Sequence, residues 1–255
     1  MASGEIQVNP FLFVTDLDHT LVGDDHALEL LNQQLEQHRQ QYGTKIVYAT
    51  GRSLYLYRQL TEEKPLLTPD ALITAVGTEI YFNPSQAEVD REWAEVLSDG
   101  WHREQIAAIA NQYSQLEHQP QSEQNPFKIS YYLNKSEAEG LLSTLETELL
   151  SQGFKIKLVY SGSQDLDILP LKGDKGLAVQ FLRSKWEVTA EATVTCGDSG
   201  NDIALFKGDE KGIIVGNAKS ELRQWYETNQ NDSLYLAEAA CAAGILEGLK
   251  YFGFL

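Results

Sequence analysis

Short apolar runs and helical stripes alternate over the first part of the chain. The apolar runs, each suited to one buried strand, occupy residues 11–15, 45–49 and 71–73. Leu28, Leu31 and Leu35 recur at helical spacing and predict a helix over residues 27–42, and a shorter helix is expected over residues 53–60. Strands that alternate with helices form right-handed βαβ units, so this part of the chain predicts a parallel sheet.

The middle of the chain has a different pattern. One helical stripe covers residues 106–116, and a second follows Ser136 and Glu139, which have the spacing of a capping box. Three candidate strands accompany them, at residues 127–133, 155–160 and 165–169. Strict alternation in the first of these predicts that Ile129 and Tyr131 face the helices, while Lys128 and Ser130 lie on the open face. The pattern indicates an α+β insert.

The alternation of strand and helix returns after Gly173. The expected elements are a helix over 175–185, strands over 192–196 and 212–215, a helix from Asp202 and a C-terminal helix. One sheet that is interrupted by an insert explains this order better than two tandem domains. We therefore predict an α/β fold with a Rossmann-like parallel-sheet core of residues 1–82 and 170–255, and an inserted α+β domain of residues 83–169.

The net charge of the chain limits the classes of partner that it can bind. Lys and Arg number 20 against 37 Asp and Glu, so the formal net charge is −17, and neither nucleic acid nor an anionic membrane is expected as a partner. A phosphate group would have to be held locally, by a metal, a lysine or backbone amides. Cys196 and Cys241 lie far apart, no leader pattern is visible, and no apolar run reaches bilayer length. We expect a cytoplasmic protein.

Polar residues gather at four points where a predicted strand ends or a helix begins. The four are Asp16-x-Asp18-x-Thr20, Thr50-Gly51-Arg52, Lys175, and Gly197-Asp198-Ser199-Gly200-Asn201-Asp202. Parallel strands end at the ligand-binding edge of a sheet. Asp16 and Asp18 share a side of the chain, where two carboxylates repel each other unless a cation lies between them or one is protonated. Each group alone also fits a turn, a solvated lysine or a fragment of a calcium loop; the set in this order indicates chemistry.

Together these groups resemble the four motifs of the haloacid dehalogenase superfamily, a group of mainly magnesium-dependent phosphohydrolases. The resemblance covers nearly the whole chain. It implies that Asp16 is the nucleophile that accepts the phosphoryl group and that Asp18 is the general acid and base. It also implies a Mg²⁺ ion bound by Asp16, by the backbone carbonyl of Asp18, by Asp198, and by Asp202 directly or through water.

The same resemblance implies a set of groups for the remaining phosphoryl oxygens. These are the Thr50 hydroxyl, the Gly51 amide and the Lys175 ammonium, with Asn201 as a further contact. Arg52 has two interpretations, because its planar fork suits either a phosphate or a neighbouring acid.

The insert lies where this superfamily places an α/β cap domain, which excludes water and recognises the leaving group. The stretches YATGRS, TAVGTEIY, EQNPFKISYYL and CGDSGNDI resemble the sucrose-phosphate phosphatase family. This implies hydrolysis of sucrose 6-phosphate, with the ester on the fructose side. Two positions depart from the expected family pattern: His19 stands in place of Asn, and Gly173-Asp174 stands in place of Ser-Asn.

Several residues are candidates for the sugar hydroxyls. Lys128, Ser130 and Asp167 belong to the cap strands, and Glu79 lies near the predicted junction of the two domains. Each also fits an ordinary surface role. The rival functions are a phosphatase of another sugar phosphate, such as mannosyl-3-phosphoglycerate or trehalose 6-phosphate, and a non-catalytic sugar-phosphate-binding module. A small sugar phosphate is the expected partner; a sucrose-phosphate synthase stays open as a protein partner, and a monomer is the default state.

Overall fold

The structure is a computed structural model that describes residues 9–255, so residues 1–8 of the predicted core domain lie outside the described part. The strands are β1 (Leu12–Thr15), β2 (Lys45–Ala49), β3 (Ala71–Thr74), β4 (Glu79–Tyr81), β5 (Glu117–His118), β6 (Ile129–Tyr132), β7 (Ile156–Ser161), β8 (Asp165–Pro170), β9 (Thr193–Gly197), β10 (Lys211–Ile214) and β11 (Leu234–Leu236). The α-helices are α1 (Asp25–Tyr42), α2 (Leu54–Glu63), α3 (Arg91–Leu97), α4 (Arg103–Ala110), α5 (Lys135–Ser151), α6 (Lys175–Trp186), α7 (Ser220–Asn229) and α8 (Cys241–Tyr251). Short 3-10 helices span Ala75–Gly77, Gln121–Glu123 and Gly200–Phe206. Within residues 9–255, the length and apolar character needed to cross a membrane are not found in any helix.

A seven-stranded sheet forms the larger layer, in the order β11-β10-β9-β1-β2-β3-β4. Every pairing in it is parallel except that of β4 with β3. The central strand β1 is fully buried, because α1, α2 and α8 cover one face of the sheet and α3, α6 and α7 cover the other. The predicted α/β fold with a parallel-sheet core is confirmed.

A four-stranded antiparallel sheet, in the order β5-β6-β8-β7, lies within the predicted insert and extends one residue past it, to Pro170. Helices α4 and α5 pack on one face of this sheet against the inward side chains Ile129 and Tyr131, as the alternation predicts. Lys128 and Ser130 lie on the opposite face. The exact domain boundaries at residues 82/83 and 169/170 stay a prediction.

Two predicted elements differ from the structure. The helix expected over 106–116 stops at Ala110, because the Asn111 side chain accepts a hydrogen bond from the Tyr131 hydroxyl at 2.9 Å and the chain turns there. The helix expected from Asp202 is instead the 3-10 helix that starts at Gly200. There the Asp202 carboxylate accepts hydrogen bonds from the Asp198 and Ser199 amides, which tightens the first turn.

Candidate active site

Asp16 follows directly after β1, at the carboxyl edge of the large sheet. Its amide donates to the Cys196 carbonyl at 3.0 Å, which fixes it beside the end of β9. Its carboxylate is buried and accepts a hydrogen bond from Lys175 Nζ at 2.7 Å. Because β1 and β9 are parallel neighbours, Asp16 and Asp198 necessarily emerge at the same edge.

Lys175 is a fully buried ammonium group that joins three motifs. Besides Asp16, its Nζ donates to Asp202 Oδ1 at 2.6 Å and to Asn201 Oδ1 at 3.1 Å. It is the first residue of α6, whose N-cap is Asp174: the Asp174 Oδ1 accepts from the Leu177 amide at 2.7 Å. The sequence therefore places a lysine at the one end of α6 that points at the acidic cluster.

The acidic cluster consists of Asp16, Asp198 and Asp202. One oxygen from each of these buried carboxylates lies within 4.8 Å of the other two. Asp202 is held by its own loop, since its Oδ2 accepts from the Asp198 and Ser199 amides, each at 3.0 Å. Asp198 Oδ1 accepts from the Thr20 hydroxyl at 3.2 Å, whereas Asp198 Oδ2 is buried without a hydrogen-bond partner among the described residues.

The electrostatics of this cluster favour a cation. Burial raises the pKa of Asp16 to about 8, and the nearby Asp202 and Asp198 carboxylates add to that rise against the opposing Lys175. Burial, with Asp202, also raises the pKa of Asp198 to about 6. Burial lowers the pKa of Lys175, but Asp16 and Asp202 outweigh it and the net direction is upward. The ammonium groups of Lys175 and, at Asp198, of Lys219 offset the three carboxylates only in part, and the unpaired Asp198 oxygen fits a hard divalent ion.

Asp18 is held by Arg52 rather than by the acidic cluster. Arg52 Nε donates to Asp18 Oδ2 at 2.7 Å and Arg52 Nη2 donates to Asp18 Oδ1 at 2.8 Å, which is a bidentate pair. Of the two interpretations of Arg52, its position supports the neighbouring acid. Thr50 is fully buried and its hydroxyl accepts from the Arg52 amide at 3.1 Å, while Gly51 lines the cavity above.

A cavity of about 370 Å³ lies between this edge of the large sheet and the four-stranded sheet. Asp16, Asp18, Arg52, Asp198 and Asn201 line its floor. The opposite wall is polar and consists of Gln119, Glu123, Lys128, Tyr132, Ser161, Gln164, Asp165 and Asp167. This volume and mixed lining suit a small, hydroxyl-rich ligand.

The polar wall contains a buried network. Lys128 Nζ donates to Asp167 Oδ1 at 3.0 Å, to the Glu123 carbonyl at 2.9 Å and to the Ser130 hydroxyl, which donates to Asp167 Oδ1 at 2.6 Å. Lys128, Ser130 and Asp167 are therefore brought together as expected from their strand positions. Because their bonds are already satisfied within the wall, the orientation of the groups that line the cavity is fixed before a ligand enters.

Glu79 is not part of this cavity. Its Oε2 accepts from the Thr74 hydroxyl at 2.8 Å and from the Tyr81 hydroxyl at 3.0 Å, so its carboxylate braces β3 and β4. The expectation that Glu79 reaches a sugar hydroxyl has no support from this position. The reason is that its carboxylate is engaged by hydroxyls of β3 and β4 and does not line the cavity.

Polar contacts connect the segments around the large sheet with those around the four-stranded sheet. The Ser53 hydroxyl, at the start of α2, donates to Glu123 Oε1 at 3.2 Å. Lys157 of β7 forms an ion pair with Asp174, the residue before Lys175. Sequence reasoning missed Glu123, Gln164 and these contacts, since nothing in the spacing of isolated polar residues shows which loop will face the core.

The comparisons with known proteins agree with this geometry. The family described as sucrose-6F-phosphate phosphohydrolase matches residues 9–253. A probable sucrose-phosphatase 2 of Arabidopsis thaliana is 39% identical over 94% of this chain and 59% of its own length. A mannosylfructose-phosphate phosphatase of Agrobacterium fabrum is 32% identical over 95% of this chain and 96% of its own. The chain thus spans less than two thirds of its plant relative.

Among solved structures, the sucrose-phosphatase of Synechocystis sp. PCC6803 in complex with sucrose and phosphate superposes with a TM-score of 0.91 and 38% identity, over 97% of this chain and 99% of that one. The four motifs, the fold and the matched length lead to one assignment. The chain belongs to the sucrose-6F-phosphate phosphohydrolase family of the haloacid dehalogenase superfamily.

Proposed function

We propose that this protein hydrolyses sucrose 6-phosphate, with the ester on the fructose side, to sucrose and inorganic phosphate. The observation that carries the proposal is the buried cluster of three carboxylates and Lys175 at the floor of a polar cavity. Family membership and the similarity to a sucrose-phosphatase crystallised with sucrose and phosphate support the substrate. The rival interpretations, another sugar phosphatase or a non-catalytic binding module, are not favoured.

In the proposed first step, an Asp16 oxygen attacks phosphorus and the bond from phosphorus to the sugar oxygen breaks. The product is an aspartyl-phosphate, and the leaving oxygen takes a proton from Asp18. In the second step water attacks the phosphorus of that intermediate and gives a proton to Asp18, while the bond from phosphorus to the Asp16 oxygen breaks; phosphate leaves and the Asp16 carboxylate is regenerated. Asp16 stays rigid throughout because its backbone is bonded to β9 and its carboxylate to Lys175.

Arg52 affects the two steps differently in this scheme. Its bidentate contact engages both oxygens of Asp18 and so orients the carboxylate that accepts a proton in the second step. Proton donation in the first step requires that contact to weaken. Arg52 is therefore proposed to position Asp18, and Thr50, Gly51, Lys175 and Asn201 to hold the phosphoryl oxygens.

The metal proposed for the site is Mg²⁺, held by Asp16, Asp198, the Asp18 carbonyl and Asp202. The fit is supported by the unpartnered Asp198 Oδ2 and by carboxylate oxygens as donors. When bound, such an ion offsets the charge of nucleophile and phosphate and stabilises the charge that develops in transfer. Asp202 already accepts hydrogen bonds on both oxygens, so a contact through water suits it better than direct ligation.

For the sugar, we propose that Lys128 and Asp167 contact hydroxyls and that Ser130 orients both. Asp165 and Gln164 lie in the same wall and extend the set of polar partners. Glu79 does not belong to this set, because it does not line the cavity. We further propose a monomer that works in the cytoplasm beside a sucrose-phosphate synthase; sedimentation of the protein with and without the synthase tests the oligomeric state and the association.

Phosphate release from a panel of esters tests the proposal. Sucrose 6-phosphate, mannosylfructose phosphate, trehalose 6-phosphate and mannosyl-3-phosphoglycerate are compared at one concentration, with magnesium and with EDTA. We expect the sucrose ester to give the highest kcat/KM and EDTA to abolish release. A higher kcat/KM for any other ester contradicts the substrate, and tight binding of every ester without phosphate release supports the binding module.

A further inference from the structure

We propose that Asn217 is a positioning residue that holds the turn carrying Asp18. This inference rests on the proposed function, because it is there that Asp18 acts as acid and base. Asn217 lies in the loop between β10 and α7, and no motif of the sequence includes it.

The turn after Asp18 is tight and strained. The Leu17 carbonyl accepts hydrogen bonds from the Leu21 amide at 3.0 Å and the Val22 amide at 2.8 Å, so the chain reverses immediately after the acid. This reversal places His19 at a φ of 60°, in the left-handed region that favours glycine. The His19 side chain is exposed, so the strained backbone needs support from elsewhere.

Asn217 supplies that support through both atoms of its side-chain amide. Its Nδ2 donates to the His19 carbonyl at 2.7 Å, and its Oδ1 accepts from the Cys241 amide at 2.9 Å. Cys241 begins α8 with a φ of 50°, a second non-glycine residue in the left-handed region. One side chain therefore bridges two strained residues, and only an amide of this length offers a donor and an acceptor together.

The two bridged segments also pack directly against each other. The Cys241 thiol lies 3.4 Å from the His19 carbonyl and donates to it. A Cβ on Gly23, which has a φ of 150°, would lie 2.4 Å from that sulfur, so the far end of the turn fits closely on Cys241. The turn therefore has few alternative positions while Asn217 is present.

The same loop is bonded to the acidic cluster. The Lys219 amide donates to the Asp198 carbonyl at 2.7 Å, and the Gly216 amide donates to the Ala239 carbonyl at 2.8 Å. Residues 216–219 thus connect the backbone of Asp198, the Asp18 turn and the start of α8. Loss of the Asn217 amide is expected to misplace Asp18 relative to Arg52 without disturbing the polar wall that faces the sugar.

The test compares Asn217→Ala with wild type and with Asn231→Ala, a matched control. The Asn231 side chain also bridges two backbone groups, accepting from the Ser233 amide and donating to the Asn229 carbonyl, but it does not line the cavity. We expect Asn217→Ala to lower kcat at least about 10-fold with KM changed less than about twofold, because misplaced catalytic groups slow chemistry more than binding. Asn231→Ala should leave both constants unchanged.

A rescue experiment separates positioning from general stability. His19→Gly alone should keep the activity, since glycine adopts a positive φ freely. In the Asn217→Ala background, His19→Gly should recover at least about threefold of the lost kcat, because the turn then needs less support. Hydrogen exchange of the peptide over residues 17–23 should be faster in Asn217→Ala and partly restored in the double variant.

The proposal is overturned if Asn217→Ala keeps its kcat, if kcat falls only in proportion to the unfolded fraction, or if His19→Gly rescues neither kcat nor exchange. Failure of the proposed function gives a different result: the wild type then releases no phosphate from any ester. In that case the exchange of residues 17–23 alone decides the role of Asn217.

Discussion

Replacing Asp16 by Asn should stabilise the metal-free protein while it abolishes turnover. The Asp198 and Asp202 carboxylates lie within 4.8 Å of Asp16, and Lys175 Nζ lies at 2.7 Å. At an effective dielectric constant of about 20, each repulsion is at least about 3.5 kcal/mol and the attraction about 6 kcal/mol. The two repulsions and the attraction nearly cancel. The cost of burying the Asp16 carboxylate therefore decides whether the substitution stabilises or destabilises the protein.

Burial disfavours the ionised carboxylate by several kcal/mol in real proteins, and the neutral amide avoids most of this. At pH 8 we therefore expect Asp16→Asn to raise the free energy of unfolding of the metal-free protein by about 2 kcal/mol. The charge that destabilises the empty site is the one that Asp16 needs for its proposed role as nucleophile. With magnesium bound the sign should reverse, because the wild-type carboxylate then gains a cation that the amide binds poorly.

The pH dependence follows from the same burial. Burial raises the pKa of Asp16 from its ordinary value of 3.8 to about 8. Between these values the folded protein keeps a proton that the unfolded chain has released. The free energy of unfolding of wild type therefore falls as pH rises from about 4 to about 8, and Asp16→Asn lacks this contribution. The advantage of the variant should be largest near pH 8.

Urea unfolding at pH 5 and pH 8, in EDTA and in magnesium, measures these differences, and phosphate release measures turnover. Asp99→Asn is the control, since Asp99 is an exposed carboxylate that pairs with Lys155 at 3.0 Å and with Lys172 at 3.4 Å. It should change stability by less than about 0.5 kcal/mol and leave turnover intact. An Asp16→Asn protein that is less stable than wild type in EDTA at pH 8, or that still turns over, refutes the reasoning.

Three further outcomes are expected. Arg52→Ala should slow hydrolysis of the phosphoenzyme more than its formation, so rapid quenching should trap more of the phosphorylated protein; an unchanged level would show that the contact with Asp18 does not affect the second step. Lys128→Met should lower Tm and raise KM at least about 10-fold with a smaller change in kcat, because it leaves Asp167 buried and unpaired; an unchanged KM argues against a role in sugar binding. Magnesium affinity should rise from pH 5 to pH 8, since burial raises the pKa of Asp16 to about 8 and that of Asp198 to about 6 and binding must displace those protons; calorimetry in buffers of different ionisation enthalpy should detect proton release, and its absence contradicts the raised values.

The elements around Asp16 could be predicted from the sequence because local pattern and global fold agree there. The apolar run before Asp16 is typical of a buried strand, and Lys175 follows a residue that caps a helix. Asp198 follows another buried strand, so the shared edge of a parallel sheet brings all three together. The sequence predicted that these residues lie close together because parallel strands end at the same edge of a sheet, and not because any single contact was visible.

Elsewhere the decisive interactions come from distant parts of the chain. The helix predicted to reach Leu116 ends early because the Asn111 side chain accepts a hydrogen bond from Tyr131 of β6. Glu79 lies off the cavity because its carboxylate accepts hydrogen bonds from Thr74 and Tyr81 instead. Asn217 carries no pattern at all, since its importance depends on two strained residues that are remote in sequence. None of these contacts produces a periodic pattern in the sequence.

The ion pair of Lys157 with Asp174 constrains how the cavity can open. A motion that lifts the four-stranded sheet away from the large one at this point separates these two side chains, which are both largely shielded from water. Asp174, which loses its partner Lys157 in that motion, also caps α6, the helix that begins with the buried Lys175. Opening of the cavity to a ligand is thus coupled to the rigidity of the start of α6, where Lys175 lies. Added salt weakens the ion pair and should make this opening easier.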